Sequence, residues 1–262
     1  MKPVASITGA LILAAAAVLG AGGARPQIRP PQRPDVHPIE PVETEVEAQI
    51  IAQANALRVA QGLRPLSENP LLTDEARVFA AYLVRTGAFS HEADGHTPRE
   101  RAQIAGYGSC ELAENLAWEQ DDAGFRHRDL ATDLMHSWEA SPGHRHNLLL
   151  PDVVETGVGV ARAPWPTPKY VAVQEFGRPD SMRFSFEVTN RSGSVVSYAF
   201  EGRRGVIEPD TTMTYWPCEK STLELGARGL ARASFLVEPD ARYLLERSRE
   251  LGITVETMRR RP

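Results

Sequence analysis

The sequence contains only two cysteines, Cys110 and Cys218, among its 262 residues. Two cysteines form one bridge at most, so the chain is not a small scaffold stabilised by several disulfides. The sequence also lacks a basic excess, because 34 acidic residues outnumber 29 lysines and arginines and give a net charge of −5. Nucleic-acid-binding domains are usually strongly basic, so this charge argues against a nucleic-acid partner.

Several well-known catalytic signatures are missing as well. The His91-Glu92 pair begins like an HExxH zinc-protease helix, but Gly95 stands where the second histidine is required. Neither a GxSxG nucleophile turn nor a GxxxxGK[ST] phosphate loop occurs in the sequence. The overall composition, 42% hydrophobic and 24% charged, is that of a folded globular protein and indicates no particular chemistry.

The N-terminal region predicts export. Lys2 is followed by an uncharged stretch, residues 3–24, that is rich in alanine and ends in small residues. This pattern predicts a signal peptide at residues 1–24, cleaved after Ala21 or Ala24, and an uncleaved membrane anchor is the alternative. Residues 25–43 are rich in proline and are expected to form an extended linker. The mature protein is therefore expected to be secreted or extracytoplasmic.

Residues 44–180 predict a domain of mixed helices and strands. Apolar residues at three- and four-residue steps predict four helices, near residues 44–62, 70–87, 97–106 and 129–139. Thr97 and Glu100 have the spacing of a capping box, and Ser141-Pro142-Gly143 is expected to stop the fourth helix. Short apolar runs at residues 113–118, 156–161 and 170–176 predict strands, which makes the fold class α+β.

Residues 181–262 have a different pattern. Apolar and polar residues alternate from Phe184 onward, with turn residues between the runs, which predicts a small β module. A helix is expected over residues 240–251 at the C-terminal end of this module. Cys110 and Cys218 lie in different predicted parts of the chain, so a bridge between them would join the module to the first domain. The sequence leaves open whether they pair.

Histidines and acids are concentrated in three segments between residues 91 and 147. These segments are SHEADGH, AENLA and SWEASPGHRHN. Neutral imidazole is a common metal ligand, and a nearby carboxylate can orient it or activate water. The segments are compatible with a zinc site that has an open coordination position, and equally with a polar cluster that holds no metal.

Five motifs carry a resemblance to a known family. SHEADGHTPRERAQIAGYG, AENLAW, SWEASPGHRHNLLLP, TGVGVA and YVAVQEFG occur in this order between residues 46 and 177. Together they resemble the CAP superfamily of cysteine-rich secretory, antigen and pathogenesis-related proteins, in its bacterial branch. The resemblance implies a three-layer α–β–α sandwich, secretion, and a surface cleft lined by two histidines and two acids.

The resemblance also implies which residues line the cleft. His91, Glu114 and His144 match the family's first histidine, first glutamate and second histidine. The second acid departs from the family pattern, because Ser141 stands three residues after Trp138 and Glu139 is the nearest acid. We therefore carry over His91, Glu114, Glu139 and His144 as ligand-binding residues, with His91 and His144 as the candidate zinc or other divalent-metal ligands.

The leading hypothesis is an exported binding protein of the cell envelope. Its cleft is expected to take a small ligand, a lipid or an extended peptide, with His91 and His144 contacting the ligand and Glu114 orienting one of them. The first alternative is a zinc-assisted hydrolase that uses the same residues, with Glu114 or Glu139 as general base. The second alternative is a structural protein whose β module contacts an envelope or protein partner.

Overall fold

The structure is a computed structural model, which describes residues 40–163, 168–227, 230–248 and 252–259. The predicted leader at residues 1–24 and most of the predicted linker at residues 25–43 lie outside the described residues. The α-helices of the described chain are α1 (Glu43–Ala60), α2 (Pro70–Thr86), α3 (Pro98–Ile104), α4 (His127–Ala140) and α5 (Pro142–Leu148).

The strands fall into two groups along the chain. The first group is β1 (Ser67–Glu68), β2 (Ser109–Gln120), β3 (Glu155–Arg162) and β4 (Lys169–Pro179). The second group is β5 (Phe186–Arg191), β6 (Val196–Phe200), β7 (Arg203–Ile207), β8 (Thr211–Tyr215), β9 (Thr222–Ala227), β10 (Leu230–Leu236), β11 (Ala241–Ser248) and β12 (Gly252–Arg259).

The helix ends follow from local sequence chemistry. The side chain of Asn69 accepts a hydrogen bond of 2.9 Å from the N–H of Leu71 at the start of α2. Gly87 ends the same helix with a φ of 71°, in the left-handed region that glycine adopts without a steric penalty. Thr97 and Glu100 form the predicted capping box at the start of α3. These signals confirm the predicted bounds of α2 and α3 to within a residue or two.

One helix was not predicted. The Ser141-Pro142-Gly143 segment ends α4, as expected, but Pro142 also begins α5. Proline is well suited to the first position of a helix, because its fixed φ is helical and its missing N–H would have no partner there. The same three residues therefore act as a stop for one helix and a start for the next.

The first sheet lies between two helical layers. Its strand order is β1-β3-β4-β2, which places β2 at one edge. Helices α1, α4 and α5 pack on one face, and α2 packs on the other with α3 beside it. This is the three-layer α–β–α arrangement of an α+β domain. The main core lies under α1 and α4 and includes Ile50, Leu134, Trp138, Val158 and Phe176.

Two glycines allow α2 to lie directly on the sheet. Gly157 and Gly159 are two residues apart on β3, so they face the same side. A Cβ atom at Gly159 would overlap the backbone of Ala76 and Arg77, and one at Gly157 would overlap the backbone of Leu72 and Thr73. The glycines of the TGVGVA motif are therefore required by the close approach of a helix backbone to a strand backbone.

Residues 186–259 form two four-stranded sheets that share one core. The strand orders are β10-β9-β6-β7 and β12-β11-β5-β8. Aromatic rings fill much of this core, with Phe186 in contact with Phe200, Tyr215 and Tyr243 at centroid distances of 5.0–6.0 Å. The structure therefore shows the predicted β-rich region. Its predicted boundary near residue 180, as a division between independent domains, stays a prediction.

The helix predicted at residues 240–251 is wrong. Residues 241–248 form β11, which pairs in parallel with β5 and antiparallel with β12. Ala241, Tyr243 and Leu245 are buried while Arg242 and Glu246 are exposed, which is the two-residue period of a strand. Pairing with strands on both sides outweighs the helix-forming composition of this segment.

A disulfide joins the two parts of the chain. Cys110 at the start of β2 is bonded to Cys218 between β8 and β9, with the Cα atoms 5.5 Å apart. Arg178 of β4 supports the junction, since its Nε donates to the carbonyl of Cys218 at 2.9 Å and its Nη1 to the carbonyl of Asp152 at 2.9 Å. The pairing that the sequence left open is therefore present. Within the described residues, no helix has the length and apolar character needed to cross a membrane.

The close contact between α2 and β3 can be tested with Gly159→Ala. We expect a loss of about 3 kcal/mol in the free energy of unfolding, because the added Cβ forces two backbones apart. The measurement is urea denaturation followed by circular dichroism. Gly143→Ala is the matched control, because its Cβ has open space within 4 Å. A Gly159→Ala variant as stable as the control would contradict this account of the packing.

The stabilising effect of the disulfide can be tested with the Cys110→Ser, Cys218→Ser double variant. The bridge closes a loop with a sequence separation of 108 residues. In the chain-entropy model, removing it costs about 4 kcal/mol of unfolding free energy. Denaturation of the oxidised protein, the reduced protein and the variant would measure this. Equal stability of all three would show that the bridge contributes nothing.

Candidate functional site

His91 lies in the segment that connects α2 to α3. Arg101 fixes this segment, since its Nη1 donates to the carbonyl oxygens of His91 at 2.8 Å and of His96 at 3.0 Å. The hydroxyl of Tyr82 donates to the carbonyl of Ala93 at 3.1 Å. Because the backbone is held on both sides, the imidazole of His91 has a defined position although half of its side chain is exposed.

Glu114 orients the His91 ring from the sheet. Its side chain is almost fully buried, and its Oε1 lies 2.6 Å from Nδ1 of His91. The hydrogen bond to Glu114 raises the pKa of His91 above its ordinary value, against the opposing effect of partial burial. His91 and Glu114, both predicted as site residues, are therefore brought together, with Nδ1 engaged and Nε2 directed elsewhere.

The second oxygen of Glu114 is also engaged. Its Oε2 accepts a hydrogen bond from Nη2 of Arg101, which is buried. Arg101 also donates from Nε to Oε1 of Glu75 at 2.7 Å, and its guanidinium carbon lies 3.5 Å from the ring centroid of Phe79. Arg101 thus links α2, α3 and β2 beneath His91. The sequence argument assigned no role to Arg101 or Glu75.

Glu175 is a further residue that the sequence argument missed. Gln174 and Glu175, in the YVAVQEFG motif, are both fully buried. Glu175 is the direct register partner of Glu114 across β2 and β4. Burial, with the nearby carboxylates of Glu114 and Glu75, raises the pKa of Glu175 well above its ordinary value. The sequence signal that could have revealed the burial of Glu175 is its position, as a charged residue, inside a strongly apolar run.

His144 lies on α5, which is tied to the backbone of β2. Asn115 donates from Nδ2 to the carbonyl of His144 at 3.1 Å. Asn147 donates from Nδ2 to the carbonyl of Glu114 at 3.1 Å and to Oδ1 of Asn115 at 3.0 Å. Buried Arg58 holds the other end of α5 by donating to the carbonyls of Leu148 at 2.8 Å and Leu150 at 2.9 Å.

His144 differs electrostatically from His91. Burial lowers the pKa of His144 below its ordinary value, and the charge of nearby His91 lowers it further. The two imidazoles therefore have pKa values displaced in opposite directions. At a given pH His91 therefore keeps its proton more readily than an ordinary histidine does, and His144 less readily.

A cleft runs beside His144 along the edge of the first sheet. Its volume is about 260 Å³. The residues that line it are Phe89, Leu116, Ala117, Trp118, Ser137, Trp138, Ser141 and His144.

The outer edge of β2 contributes backbone groups to this cleft. The N–H of Val154, just before β3, donates a hydrogen bond to the carbonyl of Gly177 on β4. The backbone N–H and C=O groups of every second residue of β4, including Val173 and Val171, therefore point toward β3. Their partners on β2, Leu116 and Trp118, therefore direct their N–H and C=O groups away from the sheet. Within the described chain these groups have no hydrogen-bond partner on that side.

Glu139 is placed differently from the other predicted site residues. It lies on α4 and is half-buried. Its side chain makes no hydrogen bond within the described residues, and it does not line the cleft, whereas Ser141 does. The structure therefore does not join Glu139 to the pair formed by His91 and Glu114.

The donor set does not fit the predicted zinc site. Both oxygens of Glu114 are committed, one to His91 and the other to the guanidinium of Arg101. Within the described ranges, no three histidine, cysteine, aspartate or glutamate side chains are grouped so that they could hold a metal. His91 and His144 supply two imidazoles without an available carboxylate, so no metal-dependent step follows from these residues.

A larger cavity lies on the other side of Arg101. It has a volume of about 430 Å³ and mostly apolar walls. Its lining residues, which include Val78, Phe79, Tyr82, Arg101 and Ile104, are not shared with the cleft beside His144. Glu75 and Arg101 therefore border this cavity and not the cleft beside His144.

Comparison with known proteins decides the family. The model of the cysteine-rich secretory protein family, CAP, matches residues 51–176. Residues 51–176 form a CAP domain. This range contains α2 to α5 and most of the first sheet, and therefore includes His91, Glu114 and His144.

A curated relative is similar to part of this chain. YkwD of Bacillus subtilis strain 168, a protein described as uncharacterized, is 26% identical over 114 residues, which are 43% of this chain and 41% of YkwD. The match thus spans about two fifths of the relative's length.

Three solved structures are similar to part of this chain. An extracellular protein with an SCP domain from Bacillus anthracis is 24% identical, over 52% of this chain and 41% of that one, with a TM-score of 0.44. An outer surface protein from Borrelia burgdorferi is 20% identical, over 53% and 96%, with a TM-score of 0.45. NaASP2, solved with Zn²⁺, is 14% identical, over 51% and 79%, with a TM-score of 0.37.

The two histidines of the CAP domain can be distinguished by their titration. We expect NMR to give His91 a pKa above its ordinary value and His144 a pKa below it. Glu114→Gln should lower the pKa of His91, because the hydrogen bond to the charged carboxylate is lost. The pair stabilises the fold fully below the ordinary histidine pKa, and this stability is lost as the pH rises through the raised value.

Glu92→Gln is the control for this titration. Glu92 raises the pKa of His91 only through its charge, and its effect on this pKa is smaller than that of Glu114. This control should therefore shift His91 less than Glu114→Gln does. Equal shifts in the two variants would show that Glu114 does not determine the protonation of His91.

Proposed function

We propose that this chain is an exported binding protein whose CAP domain takes an extended peptide along the outer edge of β2. The observation that carries the proposal is the position of the unpaired N–H and C=O groups of Leu116 and Trp118, which border a cleft rather than open solvent. An extended peptide supplies the alternating donors and acceptors that such an edge requires, and it adds to the sheet as a further strand.

The side chains around this edge suit the same ligand. Phe89 and Trp118 are partly exposed apolar groups that can contact alternate side chains of a bound strand. His91 offers a positive charge and His144 a neutral imidazole, which can donate or accept a hydrogen bond. An acidic residue in the peptide would pair with His91, so binding of such a peptide weakens as the pH rises and His91 loses its proton.

The edge favours a peptide over the other predicted ligands. A lipid chain would cover the backbone groups of Leu116 and Trp118 without giving them hydrogen bonds, which costs free energy. The zinc-assisted hydrolase of the sequence analysis would need a further ligand beside His91 and His144, and both oxygens of Glu114 are already engaged. Peptide binding without catalysis needs neither a metal nor an available general base.

Two observations support an extracytoplasmic location. The bridge between Cys110 and Cys218 is of the kind that persists in oxidising compartments. The uncharged stretch at residues 3–24 has the pattern of an export signal. We therefore propose that the CAP domain meets its peptide outside the cytoplasm.

Backbone amide exchange tests this proposal directly. A pool of synthetic, end-capped octapeptides is added to the oxidised protein, and hydrogen exchange is followed by NMR. We expect the amides of Leu116 and Trp118 to become protected by at least tenfold, because a bound strand accepts hydrogen bonds from them. Protection should be greater at pH 6 than at pH 8 for peptides that contain an acidic residue.

A pair of tryptophan variants provides the control. Ser141→Trp fills the cleft and should abolish the protection. Asp133→Trp places the same ring on the exposed face of α4 and should leave it unchanged. Unchanged exchange at Leu116 and Trp118 in the wild-type protein would overturn the proposal. Peptide binding that survives Ser141→Trp and is lost on deletion of residues 181–262 would instead favour the β module as the binding surface.

A further inference from the structure

Three buried carboxyl groups surround the single guanidinium of Arg101. Glu75 comes from α2, Glu114 from β2 and Glu175 from β4. Each is at most 6% exposed. The residue opposite Glu175 on β3 is Gly157, which brings no charge. Asp94, which is less buried, also contacts Arg101 at 3.2 Å, and the half-exposed ring of His91 lies on Glu114. Two cationic groups at most therefore face four acids, and an uncompensated charge on the fully buried Glu175 is costly.

Within the part of the chain that the structure describes, some carboxylate oxygens of this cluster have no hydrogen-bond donor. Glu114 is satisfied by His91 and Arg101, and Oε1 of Glu75 is satisfied by Nε of Arg101. In the described chain, Oε2 of Glu75 and both oxygens of Glu175 have no donor. Neighbouring carboxylates of Glu75 and Glu175 without a donor would repel each other. A single proton shared by the two groups removes this repulsion and supplies the missing hydrogen bond.

We propose that Glu175 is a positioning residue of the His91 site, held as a neutral carboxylic acid whose O–H donates to Oε2 of Glu75. The proton stays on Glu175, so no bond is made or broken, and Arg101 has only Glu75, Asp94 and Glu114 to balance. Arg101 can then hold the carbonyls of His91 and His96 while Glu114 keeps its charge for the His91 ring.

The pKa shifts of Glu75 and Glu175 are consistent with this hydrogen bond. Burial raises the pKa of Glu75 as well as that of Glu175; contact with Glu114 raises the pKa of Glu175 further, and contact with Glu175 lowers the pKa of Glu75. That combination is expected for an acid–carboxylate pair in which Glu175 is the donor and Glu75 the acceptor. Glu75 is the acceptor, because its Oε2 has no other donor among the described residues, whereas both oxygens of Glu114 are engaged. The inference deepens the proposed function, since it concerns the same His91 site, but its test uses no peptide.

The test compares Glu175→Gln with the wild-type protein over a range of pH. Native Glu175 keeps its proton at pH values where the unfolded side chain, with a pKa of about 4.3, has lost it. The native state then binds one more proton, so wild-type stability falls as the pH rises. Relative to Glu175→Gln, whose amide donates without titrating, we expect up to a tenfold change in the unfolding equilibrium constant per pH unit between pH 5 and 7.

A second variant separates donation from simple packing. Glu175→Leu removes the donor and should be less stable than Glu175→Gln at every pH, while Gln restores stability because its amide replaces the O–H. Parallel stability curves for the wild type and Glu175→Gln would show that Glu175 is ionised, and would overturn the proposal. Equal stability of Glu175→Gln and Glu175→Leu would overturn the assigned hydrogen bond.

A measurement on the unaltered protein keeps the proposal falsifiable if the variants fail to fold. Carbon-13 NMR of the glutamate carboxyl groups should give Glu175 the chemical shift of a protonated acid at pH 7. An ionised shift at that pH would contradict the proposal. Both results are independent of whether any peptide protects β2, so this inference and the proposed function can fail separately.

Discussion

The buried guanidinium of Arg101 is the interaction on which the site depends. Its donors reach a helix, a strand and the segment that carries His91, so one side chain fixes three elements at once. A buried cation of this kind is costly unless every donor is matched, and removal of one partner leaves an uncompensated charge. The carboxylates around it are therefore structural requirements as well as electrostatic ones. The exposed half of the His91 ring is supported by an interior that has little freedom to rearrange.

The two histidines approach the β2 edge from opposite sides of the sheet, and His144 lines the cleft there. His91 follows α2 on one face, and His144 lies on α5 on the other. They meet because β2 is an edge strand, around which both layers approach each other. Asn147 of α5 and Asn115 of β2 link this helix to the strand, through the side chain of Asn115 and the backbone carbonyl of Glu114. The edge position of β2 thus creates both the meeting point of the histidines and the unpaired backbone groups between them.

The sequence predicted the elements whose signals are local. The ends of α2 and α3 follow from Asn69, Gly87 and the Thr97–Glu100 box, because each signal acts within one turn of the helix. The family resemblance predicted that Glu114 orients one of the two histidines, and it left open which; in the structure Glu114 contacts His91. The C-terminal helix was wrong because β11 is stabilised by two neighbouring strands, and no property of its own residues reveals them. The cluster of Glu75, Arg101 and Glu175 was missed for the same reason, since its members are distant in sequence.

The disulfide has a mechanical consequence. Cys110 and Cys218 close a covalent loop that contains Glu114, His144 and Glu175. When tension is applied between the two ends of the oxidised chain, the sulfur–sulfur bond bears the load and this loop is not extended. His91, Glu75 and Arg101 lie in the segment outside the loop and would be pulled away from their partners. Stretching would therefore separate His91 from Glu114 while the sheet edge and His144 remain within the closed loop.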